Sequence, residues 1–158
     1  MPATLLPAGN APGCSIERAL VILGERWSFL ILRQSLLYGQ TRFAEMQQSL
    51  KVATNVLTDR LETLVGAGVL EKRAYREEGA RTRFSYHPTR AGLDLKLVLG
   101  ALQQWGDEYA PRPDGPTVIR AGVRDDQPVR VEFVSESGEP LAVDDVTFRL
   151  TPAALPRS

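Results

Sequence analysis

Three polar residues, Asn55, Thr58 and Arg60, lie near the start of a short amphipathic segment. An asparagine amide can form two hydrogen bonds with the edge of adenine, a threonine hydroxyl can bond a base edge or a phosphate, and an arginine can reach phosphate or guanine. The small residues Ala53 and Thr54 would let the backbone approach a ligand closely, and helix-terminal N–H groups can bind a phosphate. This pattern predicts recognition of a nucleic-acid duplex, although a polar helix face is more often only solvated.

A second group of basic residues follows in the turn of a predicted hairpin. Arg76 lies on the incoming strand, and Arg81 and Arg83 lie around the turn. Arginines at such a tip suit a minor groove or flanking phosphates. The competing interpretation is a solvated loop balanced by Glu77 and Glu78. The hairpin directly after the polar helix favours DNA for the two features together.

Hydrophobic spacing predicts the helices that position these residues. Residues three and four apart, as in Phe43, Met46 and Leu50, form one buried stripe of a helix. Ser15 and Thr54 are predicted to cap the first and fourth helices. The predicted helices span about residues 15–23, 25–38, 42–50 and 54–67.

After residue 69 the apolar period changes from helical to alternating. Residues 70–76 and 83–87 are predicted to form two strands, which must pack on the helices because an isolated hairpin is marginal in water. A long helix is predicted over 89–109. Its apolar arc is wider than one side of a small domain would cover, so we expect part of it to contact another subunit.

Composition sets the remaining divisions of the chain. Residues 1–13 are predicted to be a flexible arm and residues 111–116 a linker. The extension, residues 117–158, is predicted to be a small β unit in which VRVEFV pairs with VTFRL. We therefore expect one main domain over residues 14–110.

The charge balance gives weak support for an anionic partner. The 158 residues carry no formal net charge, but residues 42–90 contain nine basic and six acidic residues. The N-terminus has neither the basic nor the apolar region of a secretory signal, and no apolar run is long enough to span a membrane. A cytoplasmic location is the resulting expectation.

The order of these motifs resembles the HxlR-type family of winged helix-turn-helix regulators. The resemblance covers residues 14 to about 108, with Val69 and His87-Pro88 as modest departures from the family pattern. The matching segments are Cys14, Gly24 to Trp27, Ile31-Leu32-Arg33, Arg42-Phe43-Ala44-Glu45, Leu57 to Arg73, and Tyr86 to Gly92.

The resemblance implies a mainly α fold with a β-hairpin wing, in a homodimer that reads a pseudo-palindromic operator and regulates transcription. The residues expected to contact double-stranded DNA are Arg42, Thr54, Asn55, Thr58, Arg60, Arg76, Arg81 and Arg83. The residues expected to form the dimer, in the first and last helices, are Ile16, Leu20, Leu95, Leu99, Leu102, Trp105 and Tyr109.

Cys14, the single cysteine, precedes the first predicted helix. The helix dipole and Arg18 would both favour its thiolate, and the resemblance implies that it could sense an oxidant or electrophile. A two-cysteine switch within one chain is excluded, so an intersubunit disulfide, an adduct or no reaction remains. The alternative is a small buried residue near the dimer seam.

Other chemistry has little support in the sequence. His87 is the only histidine, the paired aspartates of the extension flank predicted turns, and no nucleophile motif or phosphate loop occurs. We expect no enzyme activity, cofactor or metal. Residues 134–141 resemble a zinc knuckle without its cysteines.

Two further possibilities concern partners. The aromatic residues Trp27, Trp105 and Tyr109 could line a pocket for a small-molecule effector, although such stripes are usually core. The alternative function is a winged-helix protein-interaction module, in which Asp59 and Glu62 would be contact residues.

Overall fold

A computed structural model describes residues 13–154, so all but the last residue of the predicted arm lies outside the described part. Within residues 13–154, five α-helices and a two-stranded antiparallel hairpin come first, and a second short hairpin and two 3₁₀ turns follow. The bounds are α1 Ser15–Leu23, α2 Arg26–Leu36, α3 Phe43–Leu50, α4 Thr54–Gly66, β1 Leu70–Tyr75, β2 Arg83–Pro88, α5 Arg90–Tyr109, β3 Phe133–Val134 and β4 Pro140–Leu141.

The chain divides into two compact units, and the break falls between Lys96 and Leu97 inside α5. This break precedes the predicted linker, residues 111–116. The reason is that side chains from the C-terminal half of α5 hydrogen-bond to the extension and belong to the same unit. Each unit has its own packing.

Helix α2 is the centre of the first unit and contacts α1, α3, α4 and β2. Its Ile31 and Leu32 are fully buried. The inward face of α4 is the one that the sequence predicts, because Leu57, Leu61 and Leu64 are inaccessible to solvent. This burial fixes which residues of α4 point outward.

The β1–β2 hairpin is anchored on the helices. Tyr86 N donates to Thr41 O, 2.7 Å away, just before α3 begins. The start of α5 is tied to the end of α4 by Thr89, whose Oγ1 donates to Gly68 O at 2.6 Å and also accepts from Gly92 N. The wing therefore has a fixed base and an exposed tip.

Three sequence predictions need correction at helix ends. Cys14, not Ser15, is the N-cap of α1, and Ser15 is already helical. Ala53, not Thr54, is the N-cap of α4, and it offers no side-chain cap. Helix α2 ends at Leu36, because the chain reverses over the next residues to Gly39, which has a φ of 65°.

The strand pairing predicted for the extension is wrong. Phe133–Val134 pairs with Pro140–Leu141, and residues 146–150 are in no strand of the described part. The tight turn explains this, because Gly138, with a φ of 91°, and the bond from Ser135 N to Glu139 O bring the chain back at once. The 3₁₀ turn Val143–Asp145 then leads the chain away.

Candidate nucleic-acid interface

The connection between α3 and α4 is short and held by one side-chain bond. Lys51 ends α3 in the left-handed region, with φ 51° and ψ 38°. Gln47 Nε2 then donates to Thr54 Oγ1 at 2.7 Å, which links α3 to the first turn of α4. Because Val52 is buried between them, the angle of the two helices is set by packing as well as by this bond.

The start of α4 is exposed and polar, as predicted. Asn55, Thr58, Asp59 and Glu62 all face solvent. No hydrogen bond among the described residues engages the Asn55 amide, so all of its donors and acceptors are available. Thr58 Oγ1 donates to Thr54 O at 2.8 Å, so its free lone pairs point outward as acceptors.

Arg60 is less available than the sequence suggests. Its guanidinium forms an ion pair with Asp59, and its side chain is 23% exposed. Contact with phosphate or guanine would require this pair to open. Asp59 therefore adds a negative charge beside the predicted contact residues.

The tip of the β1–β2 hairpin presents two arginines. Arg81 and Arg83 are exposed, and no ion pair among the described residues engages either one. Arg76 is held differently, because its Nε donates to Ala80 O at 2.9 Å and so closes the turn. Of the three predicted wing arginines, Arg81 and Arg83 thus have free guanidinium groups, and Arg76 has one N–H bound within the turn.

Arg42, predicted to contact the DNA backbone, is held by the wing. Its Nη1 lies 3.1 Å from Glu77 Oε1, and its guanidinium lies 4.9 Å from the centre of the Tyr75 ring. The Arg42 backbone N–H also donates to Glu45 at the start of α3. Arg42 therefore connects the helix-turn-helix to the wing.

Sequence reasoning missed the residues that hold the site in shape. Gln47, Lys51, Tyr75 and Glu77 form contacts that no helical or alternating period reveals. The available signal was a polar residue, Gln47, in the last turn of α3 and seven residues before Thr54. A bond across a tight turn is plausible at that separation.

The residues predicted for self-association divide into exposed and buried sets. Ile16 and Leu20 of α1 are 67% and 52% exposed. On α5, Leu102, Trp105 and Tyr109 are exposed, and the two aromatic rings are 5.4 Å apart. Leu99 is a correction, because it is buried within its own chain.

One face of α5 carries an apolar row that we call the seam. Its five residues are separated by three or four positions, which is the a/d spacing of a helix that packs against another helix. Val98 belongs to it in place of Leu99. The seam residues are Leu95, Val98, Leu102, Trp105 and Tyr109.

Cys14 is exposed, which excludes a buried position within this chain. The N–H groups of Glu17 and then Ile16 stabilise its thiolate, and they lower the pKa of Cys14 below the ordinary value. The charge of Arg18 also lowers it but contributes least. Arg18 itself donates to Gly13 O and Ser15 Oγ.

The residues considered for catalysis or metal binding have ordinary structural contacts. His87 Nε2 is 2.9 Å from Ser85 Oγ within the β1–β2 hairpin. Over residues 13–154, no cluster of three potential metal ligands occurs. Within the same range, no helix is both long and apolar enough to cross a membrane.

Comparison with known families agrees with this geometry. The model of the HxlR-like helix-turn-helix family matches residues 22–114, which contain α2 to α5 and the wing. The chain belongs to the HxlR-like helix-turn-helix family. The fold of its first unit is thus a winged helix-turn-helix in which α4 is the second helix of the motif. Cys14 and the extension lie outside the family match.

A relative and two solved structures define how far the similarity extends. The HTH-type transcriptional regulator Rv3095 of Mycobacterium tuberculosis is 41% identical over 106 residues, which are 67% of this chain and 65% of the relative. The match therefore spans less than two thirds of that protein.

The structure of PA1607, described as a transcription factor, has 36% identity and a TM-score of 0.73, and the match covers 88% of this chain and 94% of that one. The reduced form of the regulator YodB from Bacillus subtilis has 28% identity and a TM-score of 0.52. The match covers 65% of this chain and 98% of YodB. The PA1607 match includes part of the extension, because the unmatched share of this chain is smaller than residues 117–158.

Proposed function

We propose that this chain is a sequence-specific transcriptional regulator that binds a pseudo-palindromic operator as a homodimer. The observation that carries the proposal is the free polar start of α4, with Asn55 exposed and without a partner among the described residues. A helix of this kind fits the major groove, where its N-terminal side chains meet base edges. Family membership supports the same assignment.

The chemistry of each side chain defines its contact. Asn55 suits the N6 and N7 edge of adenine. The Thr58 hydroxyl, which donates to its own helix, accepts a hydrogen bond from a base amino group. Thr54 and Arg60 contact adjacent phosphate or base edges, Arg60 after release from Asp59.

The wing supplies charge rather than sequence reading. Arg81 and Arg83 contact flanking phosphate or the minor groove. Arg76 and Arg42 hold the wing in position and contact the DNA backbone with their remaining N–H groups. Because counterions are released when phosphates are neutralised, operator affinity falls steeply as salt rises.

The seam is the proposed self-association surface on α5, and Ile16 and Leu20 contribute from α1. Val98, Leu102, Trp105 and Tyr109 are 44%, 54%, 60% and 70% exposed. A row of a and d residues with this exposure is covered when the same helix of a second copy packs against it. Two copies would place two half-sites about one helical turn of DNA apart, or a multiple of it.

The test begins with selection of bound fragments from a genomic DNA pool, followed by titration of the recovered operator. Asn55→Ala is expected to weaken operator binding by about tenfold or more, with little change on unrelated DNA, because one bidentate base contact contributes about 1–3 kcal/mol. Arg81→Ala is expected to weaken binding to all sequences and to lower the salt slope by about 1.

Arg124→Ala is the matched control, because it removes one exposed positive charge that has no ion pair among the described residues from the other unit. Equal effects of Arg81→Ala and Arg124→Ala would mean that the wing does not contact DNA. A protein that passes through a nonspecific-DNA column at low salt would instead support the protein-interaction module, with Asp59 and Glu62 as contacts.

Response to an oxidant is the part of the proposal that rests on Cys14. The thiol is exposed and its pKa is lowered, which are the properties of a reactive cysteine. The similarity to YodB, whose structure is of a reduced form, supports it. Fully modified Cys14 with unchanged operator affinity would contradict it.

Two expectations stay predictions. Trp27 belongs to the first unit and Trp105 and Tyr109 to the second, and a small-molecule effector bound by them is untested. A cytoplasmic location follows from the proposed contact with chromosomal DNA in a bacterial cell.

A further inference from the structure

The extension is tied to α5 by the side chain of Gln104. Gln104 Nε2 donates to Val131 O at 2.9 Å, and Gln104 Oε1 accepts from Val131 N at 2.9 Å. One amide thus satisfies both backbone groups of Val131, as a neighbouring β-strand would. The adjacent Gln103 donates to Val118 O. Two consecutive glutamines therefore hold two separate segments of the extension.

Two further contacts bring the extension close to the helix. Arg120 Nη1 lies 3.4 Å from Asp107 Oδ2. Gly100 lacks a side chain where a Cβ would be 3.2 Å from Val131 Cγ2 and 3.6 Å from Arg120 Cδ. Glycine has a lower helix propensity than alanine, and the close approach of the extension explains its presence at this position.

All these contacts lie on one face of α5. At 100° per residue, Gly100, Gln103, Gln104 and Asp107 form a cluster on the side of the helix opposite to the seam. The extension therefore supports α5 without covering Val98, Leu102, Trp105 or Tyr109, which stay exposed.

We propose that the extension is a brace that keeps the seam helical and thereby sets the strength of self-association. This inference rests on the homodimer proposed above. From Leu97 onward α5 belongs to the second unit, and a segment of about three turns is marginal as an isolated helix in water. The hydrogen bonds of Gln103 and Gln104 supply the tertiary packing that such a helix needs. Gln104 is a positioning residue, since it acts on the partner through the helix.

The test uses the full chain with Gln104→Ala and, as matched control, Glu108→Ala, an exposed residue of the same helix. Alanine favours helix, so weakening by Gln104→Ala must come from the lost contacts to Val131. Sedimentation equilibrium is expected to show a dimer dissociation constant raised about tenfold, because two hydrogen bonds are lost in each copy. Hydrogen exchange is expected to accelerate at amides 97–109 and not in α2 or α4.

A second variant, Gly100→Leu, separates the extension from α5 without removing any polar group. It is expected to have the same two effects as Gln104→Ala. Faster exchange in α2 and α4 as well would indicate general destabilisation and overturn the brace, as would a dimer of unchanged strength in both variants. A monomeric wild-type chain would instead refute the proposed homodimer, so the two failures can be told apart.

Discussion

The two units of this chain use polar side chains in opposite ways. In the first unit, Asn55, Arg81 and Arg83 are exposed and have no partner among the described residues. In the second unit, Gln103 and Gln104 are bonded to the backbone of the extension. The comparison teaches that a polar residue on a helix indicates recognition only when the structure leaves its hydrogen-bonding groups free.

The apolar residues show the reverse distribution. The first unit buries the apolar face of α4, with Leu57, Leu61 and Leu64 inaccessible. The second unit leaves Trp105 and Tyr109 60% and 70% exposed. Because a monomer gains little from apolar rings in water, the second unit has most of the surface proposed for association, to which Ile16 and Leu20 of the first unit contribute. The surface proposed for DNA lies in the first unit.

The largest expected effect comes from a charge in the seam. Trp105→Glu should raise the dimer dissociation constant about a hundredfold or more, because burying an unpaired carboxylate costs several kcal/mol. Analytical ultracentrifugation measures this, and thermal unfolding of the first unit should change little. Operator binding should weaken with it, since both half-sites would no longer be held together.

Val123→Glu is the matched control for that substitution. Val123 is a fully exposed apolar residue of the second unit outside the seam. If Trp105→Glu and Val123→Glu weaken association equally, the effect comes from the added net charge. The seam would then not be the association surface.

The sequence predicts the helices and the hairpin of the first unit well because each has a strong period. The apolar period of α4 and the change of period after residue 69 are local signals, and the structure confirms the helix and the two paired strands. The predicted pairing of residues 146–150 failed because alternation gives a strand its pattern and not its partner. That partner is decided by the turn at Gly138.

The candidate site was predictable in its exposed residues and not in its supports. Asn55 and Thr58 could be placed outward from the period of α4 alone. The contacts of Arg42 with Tyr75 and Glu77 join residues more than thirty positions apart in sequence. Leu99 was predicted for the association surface, but Val98 takes its position in the seam. A wide apolar arc in the sequence does not show which edge of the helix is covered by its own chain.

A smaller effect on stability is expected from substitution of Lys51. This residue tests whether a polar residue at the end of α3 has a structural role, a role in binding, or both. Lys51→Gly should raise the free energy of unfolding by about 0.5–1 kcal/mol, because glycine adopts the left-handed region without steric cost. If the exposed ammonium contacts phosphate, the same variant loses operator affinity and its salt slope falls by about 1. Urea unfolding and salt titration measure the two effects.

Lys51→Ala separates the charge from the backbone. It removes the ammonium and keeps the strain of a side chain at φ 51°. Operator affinity equal to wild type in both variants would show that Lys51 only ends α3, and its place beside α4 would have no role in binding.

The smallest expected effect is on the pH dependence of Cys14 reactivity. The thiolate is the reactive form, and the N–H groups of Glu17 and Ile16 stabilise it in the folded chain. The pKa of Cys14 is therefore lower when α1 is formed, and the midpoint of iodoacetamide reaction against pH should fall below that of the same chain in denaturant. Equal midpoints in the two states would mean that the helix start does not activate the thiol. If the midpoint is lowered but modification leaves operator affinity unchanged, Cys14 is reactive without affecting DNA binding. Regulation would then depend on the seam and the extension.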